Sequence, residues 1–333
     1  MNKQLENLKV LVTGGAGFIG SNLCEFLTDS GAFVRCLDNF STGKKDNIKD
    51  LISNKNFELI EGDITDLDTC IEACDNIDYV LHHAALGSVP RSVKNPILTN
   101  LVNISGFLNM LVASKNQNVK RFIYAASSST YGDSKELPKI EDNIGSPLSP
   151  YAITKYVNEL YALNFNKLYN IDTIGLRYFN VFGEKQDPDG PYAAVIPKFI
   201  NSFLNFESPI INGDGFHSRD FTYIDNVIQI NVLAILTSNK NALNQIYNVA
   251  CGQRTNLNQL VEGIRENLKD YNYKLKNLKV INGKERDGDV LHSLASIEKA
   301  KTLLNYYPKF DFKKGLKKTI SWYLKKNESK KKS

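Results

Sequence analysis

The sequence predicts an α/β chain built on a doubly wound parallel sheet, with a smaller C-terminal substrate-binding lobe. Three observations carry that reading. Short apolar or β-branched runs alternate with stretches of helix-like apolar spacing. A glycine-rich turn joins the first such run to the first helical stretch. After about residue 185 the rhythm gives way to the Gly-, Asp- and Pro-rich pieces "PDGPYAAVIP", "INGDGFHSRDFTYID" and "GKERDGDV". Strand and helix in alternation argue for parallel pairing, and such sheets bind ligands beyond the carboxyl ends of their strands.

In chain order, the expected strands are "KVLVT", "FVRCLD", "FELIEGD", "YVLHHAA", "RFIYAAS" and "DTIGLRYF". The stretches "FIGSNLCEFLTDSG" and "ILTNLVNISGFLNMLVASKN" have helical spacing, and "SPYAITKY" places a proline where a helix opens. "QIYNVA" again reads as a sheet strand, so the two lobes share chain. The expected division is a dinucleotide-binding domain over 1–185 with a return segment at about 220–250, and a discontinuous substrate lobe over 186–325. Residues 326–333, lysine-rich and without apolar side chains, are expected to form a disordered basic tail.

The chain has 333 residues, 42% hydrophobic and 23% charged, enough to bury a large core. Its net charge of +5 falls to about +1 without the last nine residues, and no basic stripe is interleaved with aromatics, so no nucleic-acid partner is expected. Cys24, Cys36, Cys70, Cys74 and Cys251 lack the spacing of a disulfide framework or a metal set and read as reduced thiols; no metal site is expected. The N-terminal stretch has no apolar run of signal-peptide length and no segment is a continuous membrane span, so the expected compartment is the cytoplasm, with no membrane partner.

"VLVTGGAGFIGSN" spaces Gly14, Gly17 and Gly20 as G-x-x-G-x-x-G, with Phe18 and Ile19 in the first helical turn. A tight turn of this kind brings backbone amides and a helix N-terminus against a pyrophosphate. Asp38 ends the second strand 18 residues after Gly20, where a carboxylate accepts both hydroxyls of an adenosine ribose and repels a 2′-phosphate. The cofactor expected of this Rossmann-type unit is therefore NAD. Asn39, Ser41 and Gly43 of "NFSTGK" add adenosine contacts, Asp63 and Ile64 of "GDI" lie near the adenine, and Ala84 and Ala85 of "HHAA" lie under the nicotinamide ribose. His82 and His83 read as packed, hydrogen-bonded strand residues rather than bases.

Tyr151 precedes Lys155 by one helical turn, so a phenol and an amine share one face. Together "TGGAGFIG", "SSSTYG" and "YAITK", in this order, resemble the extended short-chain dehydrogenase/reductase superfamily over nearly the whole chain. Within it the sequence is similar to the NAD-dependent nucleotide-sugar epimerases, above all the bacterial UDP-N-acetylglucosamine 4-epimerases of surface-polysaccharide synthesis.

The resemblance implies that Tyr151 is the catalytic base, that Lys155 binds the nicotinamide ribose and holds the tyrosine pKa down, and that Ser127 relays the proton, with Ser128 as the other candidate. Asn103, Tyr178 and Val181 join the cofactor set. Gly87, Ser88 and Ser129 line the sugar pocket. Asn180, Ala194, Val195, Asn212, Arg219, Arg286 and Asp289 hold the nucleotide diphosphate of a UDP-sugar. Ser293 falls where epimerases restricted to non-acetylated sugars carry a tyrosine, which implies room for a 2-acetamido group. The expected reaction interconverts UDP-N-acetylglucosamine and UDP-N-acetylgalactosamine through a 4-keto sugar. Related dehydratases carry an Asp-Glu pair, and decarboxylases a glutamate, where this chain has Ser128 and Ser129. The corresponding uronic acid as substrate, a dehydratase or decarboxylase, and a non-enzymatic NAD-binding protein are the alternative readings. Helices over about 93–117 and 150–169 pair as a four-helix bundle in the family, so a homodimer is expected.

Overall fold

The computed structural model describes residues 3–190, 193–284 and 292–332. Its centre is a seven-stranded parallel sheet made of β1 (Lys9–Thr13), β2 (Phe33–Asp38), β3 (Phe57–Glu61), β4 (Tyr79–His82), β5 (Arg121–Ser127), β6 (Thr173–Tyr178) and a strand from Gln245–Val249. The spatial order is that late strand, then β6, β5, β4, β1, β2 and β3. The strand order reverses beside β1, and that reversal opens a crevice at the carboxyl ends of β1 and β4.

Helices α1 (Phe18–Asp29), α2 (Leu67–Cys74), α3 (Val89–Lys94), α4 (Pro96–Asn100), α5 (Gly106–Asn116) and α6 (Pro150–Tyr169) fall between these strands. Strands covered on both faces read as continuous apolar runs, and two buried hydrophobic clusters cover the sheet. Ser149 caps α6 by accepting the Ala152 amide at 3.1 Å, Pro150 occupies its first position, and the helix ends on Asn170 in the left-handed region. That start fixes where Tyr151 and Lys155 stand.

The expected single helix over "ILTNLVNISGFLNMLVASKN" is interrupted. Between α4 and α5, Leu101–Ser105 form a wider π turn, and Asn103 within it is committed to the Leu86 backbone. The helical run Pro96–Asn116 is long and apolar enough to cross a membrane by length and composition alone. Its residues are interrupted by Asn100, Asn103 and Asn109, and it packs against α2 and α6.

The remainder comprises β7 (Val181–Phe182), α7 (Val195–Leu204), β8 (Ile210–Asn212), β9 (Ser218–Arg219), β10 (Thr222–Tyr223), α8 (Ile224–Leu236), β11 (the sheet strand Gln245–Val249), β12 (Thr255–Asn256), α9 (Leu257–Leu268), β13 (Ile281–Gly283), α10 (Glu298–Leu304) and α11 (Phe312–Lys332). β11 pairs in parallel with β6, matching Val249 to Tyr178. The polypeptide thus returns to the sheet after forming α7, β8 and β9. Helix α11 continues to Lys332 through the segment whose composition reads as a disordered tail. Lysine is a good helix former, and a helix already docked on α9 can propagate into it.

Candidate active site

Two cavities lie at the carboxyl edge of the sheet. The first, of about 370 Å³, is bounded by the glycine turn, the ends of β2, β3, β4 and β5, and the first turns of α6. Gly14 has φ +67°, and a Cβ there would stand 2.7 Å from the Ala84 amide nitrogen, so glycine is required both by conformation and by the close approach of β4. Gly17 caps α1 with no side chain of its own, which leaves the amides of Phe18 and Ile19 at a bare helix N-terminus facing the cavity. An anion fits there.

Asp38 is buried. One carboxylate oxygen accepts the Ala16 amide at 2.9 Å and the other the Phe40 amide at 2.8 Å. Burial pushes its pKa up and those two amides offset part of the rise. Each oxygen keeps a lone pair for a ribose hydroxyl. Gly43 stands outside the lining, but a Cβ on it would lie 2.9 Å from that carboxylate, so its contribution is close packing behind Asp38. Asp63 lines the same end, and Asn39 donates to it at 2.6 Å. Burial raises the Asp63 pKa, but donors from Thr65 and Asn39 outweigh it and hold the carboxyl below its ordinary range. Ser41 and Ile64 complete this end, and Ala84, Ala85 and Gly87 follow β4 toward the other.

At that other end Tyr151, Lys155, Ser127 and Tyr178 meet. Ser127 ends β5, pairs with Tyr178 across the sheet, and stands near enough to the Tyr151 phenol to lower its pKa. The Ser127 hydroxyl also accepts the Ser129 amide at 3.1 Å and lies 2.9 Å from the Ser129 hydroxyl. Ser128 does not line the cavity. Lys155 is buried and donates to the Ala125 carbonyl at 2.7 Å.

The charges here differ from the sequence expectation. Burial raises the Tyr151 pKa above its ordinary value, and Ser127 lowers it only in part. Lys155 is not among the causes. Its own pKa is pushed down to about 8 by burial, with Glu159 one turn further along α6 pulling it back up. With a pKa of about 8 the amine is still mostly an ammonium at neutral pH, held on the Ala125 carbonyl.

The two histidines are neutral scaffolding, as their strand positions suggest. His82 Nδ1 lies 2.9 Å from the Thr13 hydroxyl, and burial depresses its pKa well below the ordinary value. His83 Nε2 lies 2.9 Å from the Tyr178 hydroxyl, its pKa pushed down to about 4 by burial. Asn103 is also behind the wall. Its amide donates to Leu86 and Thr154 and accepts the Leu86 amide, so it shapes the 86–88 turn without lining the cavity. Ser88 caps α3 at φ +108°, a conformation that strains a side-chain-bearing residue, and its hydroxyl is engaged by the Arg91 amide.

The second cavity, of about 600 Å³, contains Asn180, Val181, Ala194, Val195, Asn212 and Arg219. Val181 thus lines this cavity and not the first. Ala194 and Val195 begin α7, which has no side-chain cap, giving a second bare helix N-terminus. Asn180, at φ +35°, donates to the Asp220 carbonyl at 3.1 Å. Ser293 lies outside the lining of both cavities; its amide donates to the Ser218 carbonyl at 3.0 Å beside β9. Arg286 and Asp289 lie outside the described residues.

Three buried groups support the site without having been read from the sequence. Arg177 grips Glu159 through two hydrogen bonds of 2.7 and 2.8 Å, donates to the Glu141 carbonyl, and lies over the Tyr131 ring. Tyr131 closes the turn after Ser127 and donates to Asn248 at 2.6 Å; Asn248 in turn donates to the carbonyls of Lys139 and Ser296. Asp220, its pKa pushed up to about 6 by burial, accepts the amides of Cys251, Gly252 and Ala295. Glu159 was findable, since it continues the four-residue series of Tyr151 and Lys155. The other two groups draw on segments too distant in sequence to signal each other.

Comparison with known proteins agrees with this geometry. A family model described as the NAD dependent epimerase/dehydratase family matches residues 10–250. A UDP-glucuronate 4-epimerase of Thermodesulfobacterium geofontis is 36% identical, over 94% of this chain and 95% of its own length. The solved UDP-N-acetylglucosamine 4-epimerase of Methanobrevibacter ruminantium, in complex with UDP-N-acetylmuramic acid, superposes with a TM-score of 0.89 at 39% identity, covering 96% of this chain and 99% of that one. The UDP-glucuronic acid 4-epimerase of Bacillus cereus, solved with UDP-glucuronic acid and NAD, gives 0.86 at 32% identity over 96% and 99%. With the family model matched from the first strand of the sheet through its last, and relatives aligned along nearly their full lengths, this chain belongs to the NAD-dependent epimerase/dehydratase family.

Proposed function

We propose that this NAD-dependent UDP-sugar 4-epimerase interconverts UDP-N-acetylglucosamine and UDP-N-acetylgalactosamine for surface-polysaccharide synthesis. The observation that carries epimerisation, over the other outcomes open to the family, is the chemistry of the turn after β5. Its polar side chains are hydroxyls, Ser127 to Thr130, and among the described residues lining the first cavity the only carboxylates are Asp38 and Asp63, at the ends of β2 and β3. Elimination of water from a keto sugar needs an acid and a base beside the sugar carbons. None stands there.

The glycine turn, the bare α1 N-terminus and Asp38 would hold NAD, with Lys155 and Tyr178 toward its nicotinamide end. When bound, NAD supplies hydride chemistry at sugar carbon 4. Tyr151 takes the proton of the 4-hydroxyl through its phenol oxygen, and Ser127, whose hydroxyl lowers that phenol's pKa, carries the relay. Tyr151 returns the proton when the keto sugar is reduced on its other face. Arg219, Asn180 and the α7 N-terminus would hold the diphosphate, keeping the nucleotide fixed while the sugar turns.

The acetylated sugar is favoured by the 39% identity to an N-acetylglucosamine epimerase and by the resemblance that sets a serine at 293 in place of a tyrosine, although Ser293 itself lies outside the lining of both cavities. The glucuronate epimerases among the relatives support the uronic acid as second reading. A panel of UDP-glucose, UDP-galactose, their acetamido forms and the two uronic acids decides. The proposed substrate gives an isomer of equal mass at the highest kcat/KM, and a clear preference for a uronic acid sinks it.

Homodimerisation is part of the proposal. Val93, Ile97, Leu101, Ile153, Leu160 and Leu168, on α3 to α6, are exposed, Ile97 by 82%. An apolar face of that extent needs a partner. Light scattering should report twice the chain mass, and a monomer at micromolar concentration removes this part.

A further inference from the structure

The wall of the second cavity carries a histidine with no assigned role. His217 precedes β9 by one residue and lines the cavity with Arg219, two residues on. Between them Ser218 is buried, and its hydroxyl lies 2.9 Å from His292 Nδ1. In extended chain successive side chains alternate, so His217 and Arg219 share the side that faces the cavity while Ser218 faces away from it. The half-buried His217 ring makes no side-chain hydrogen bond or ion pair among the described residues.

The other charged groups on this wall are Lys198 of α7, Glu207 in the turn after α7, and Arg219. In the loop leading to β9, the Asp214 carboxylate accepts the Phe216 amide at 2.9 Å. Among the described residues cations thus exceed anions on the wall, and the His217 imidazole stands beside a guanidinium.

We propose that His217 is a proton-linked ligand of the nucleotide diphosphate: binding of the dianion draws a proton onto its ring, so that His217 and Arg219 grip the diphosphate as a pair of cations. The inference rests on the reading that this cavity takes the UDP moiety. Imidazole is the side chain whose charge changes between about pH 5 and 8, whereas Arg219 stays charged throughout. An anion at hydrogen-bond range favours the charged ring, and each unit by which binding raises its pKa is a tenfold change in affinity. Nucleotide affinity therefore falls as pH rises through neutrality. The proton is drawn from solvent and released when the nucleotide leaves.

The test uses the full-length protein with its cofactor and UDP as probe. Titration calorimetry near neutral pH, in two buffers of unlike ionisation enthalpy, counts protons exchanged, and a series from about pH 6 to 8.5 gives the affinity profile. Wild-type protein should take up a fraction of a proton near neutrality and lose up to about tenfold in UDP affinity toward pH 8.5. His217→Gln should abolish the uptake and flatten the profile while still binding UDP through Arg219. His292→Asn should keep both effects. Uptake that persists in His217→Gln, uptake that vanishes in His292→Asn instead, or wild-type binding without proton exchange overturns the proposal. Wild-type protein that binds no UDP overturns the nucleotide reading itself, and His217 with it.

Discussion

Glu159 and Arg177 form a fully buried, two-pronged ion pair at 2.7 and 2.8 Å, one turn beyond Lys155 on the helix that also bears Tyr151. Removing one partner of such a pair leaves a bare charge in the interior, which costs about 3–5 kcal/mol. Glu159→Gln is therefore expected to lower the unfolding free energy, read from denaturant melts, by that amount. Glu159→Met with Arg177→Met together should recover most of the loss. A single variant as stable as wild type would show that the pair holds nothing in place.

Tyr151→Phe keeps the ring and removes the proton carrier. Turnover should fall at least ~100-fold, the low end for loss of a positioned acid/base. Folding and bound NAD should survive. Near-normal turnover would remove Tyr151 from its role.

Ser127 lowers the Tyr151 pKa while burial raises it. The base form is the ionised one, so the rate should rise with pH as the phenol ionises. Loss of the serine hydroxyl takes away the lowering cause, raises the phenol pKa further, and moves that limb to higher pH. Parallel kcat profiles of wild type and Ser127→Ala measure the displacement; no displacement, or one toward acid, contradicts this role of Ser127.

Asp38 accepts one amide of the phosphate turn, from Ala16, and one from Phe40 in the loop after β2, and keeps lone pairs for ribose hydroxyls. The protein should copurify with NAD and not its 2′-phosphate, since the added charge would face a buried carboxylate. Acid release and mass analysis identify the nucleotide. Recovery of mainly NADP would mean that Asp38 serves the turn alone.

Ser293→Tyr tests the proposed acetamido pocket: where the bound sugar reaches this half-buried residue, a ring there should abolish epimerisation of UDP-N-acetylglucosamine and spare UDP-glucose. Steady-state rates on both sugars report it. Unchanged turnover of the acetylated sugar would show that Ser293 does not gate the pocket.

The sheet was legible because buried parallel strands leave continuous apolar runs, and "KVLVT", "FVRCLD" and "RFIYAAS" match their strands end to end. "YVLHHAA" overshot. Its last three residues leave the sheet: the His83 amide makes the last ladder bond, to the Thr13 carbonyl, and the Ala84 amide turns to the Thr13 hydroxyl instead, a detour no periodicity records. Most of the cofactor cavity was legible for a related reason: the glycine turn, Asp38, Asp63 and Ala84 each mark the end of a strand. Asn103 and Gly43 act from behind the wall, and side chains that shape a site without lining it leave no local signature. The downward pull of burial on the Lys155 pKa, partly offset by Glu159, was not legible, because only the packed helix brings those groups to bear.

The placement of β11 beside β6 also bears on how the chain can be cut. A fragment ending near residue 185 would keep the phosphate turn, Tyr151 and Lys155, yet lose the strand that covers β6. All six residues of β6 are buried in the whole protein, so truncation would expose a flat apolar edge of unpaired amides and carbonyls, the template on which chains aggregate. The dinucleotide-binding half is accordingly not a detachable module, and a nascent chain must wait for residue 249 before its sheet is closed to other chains.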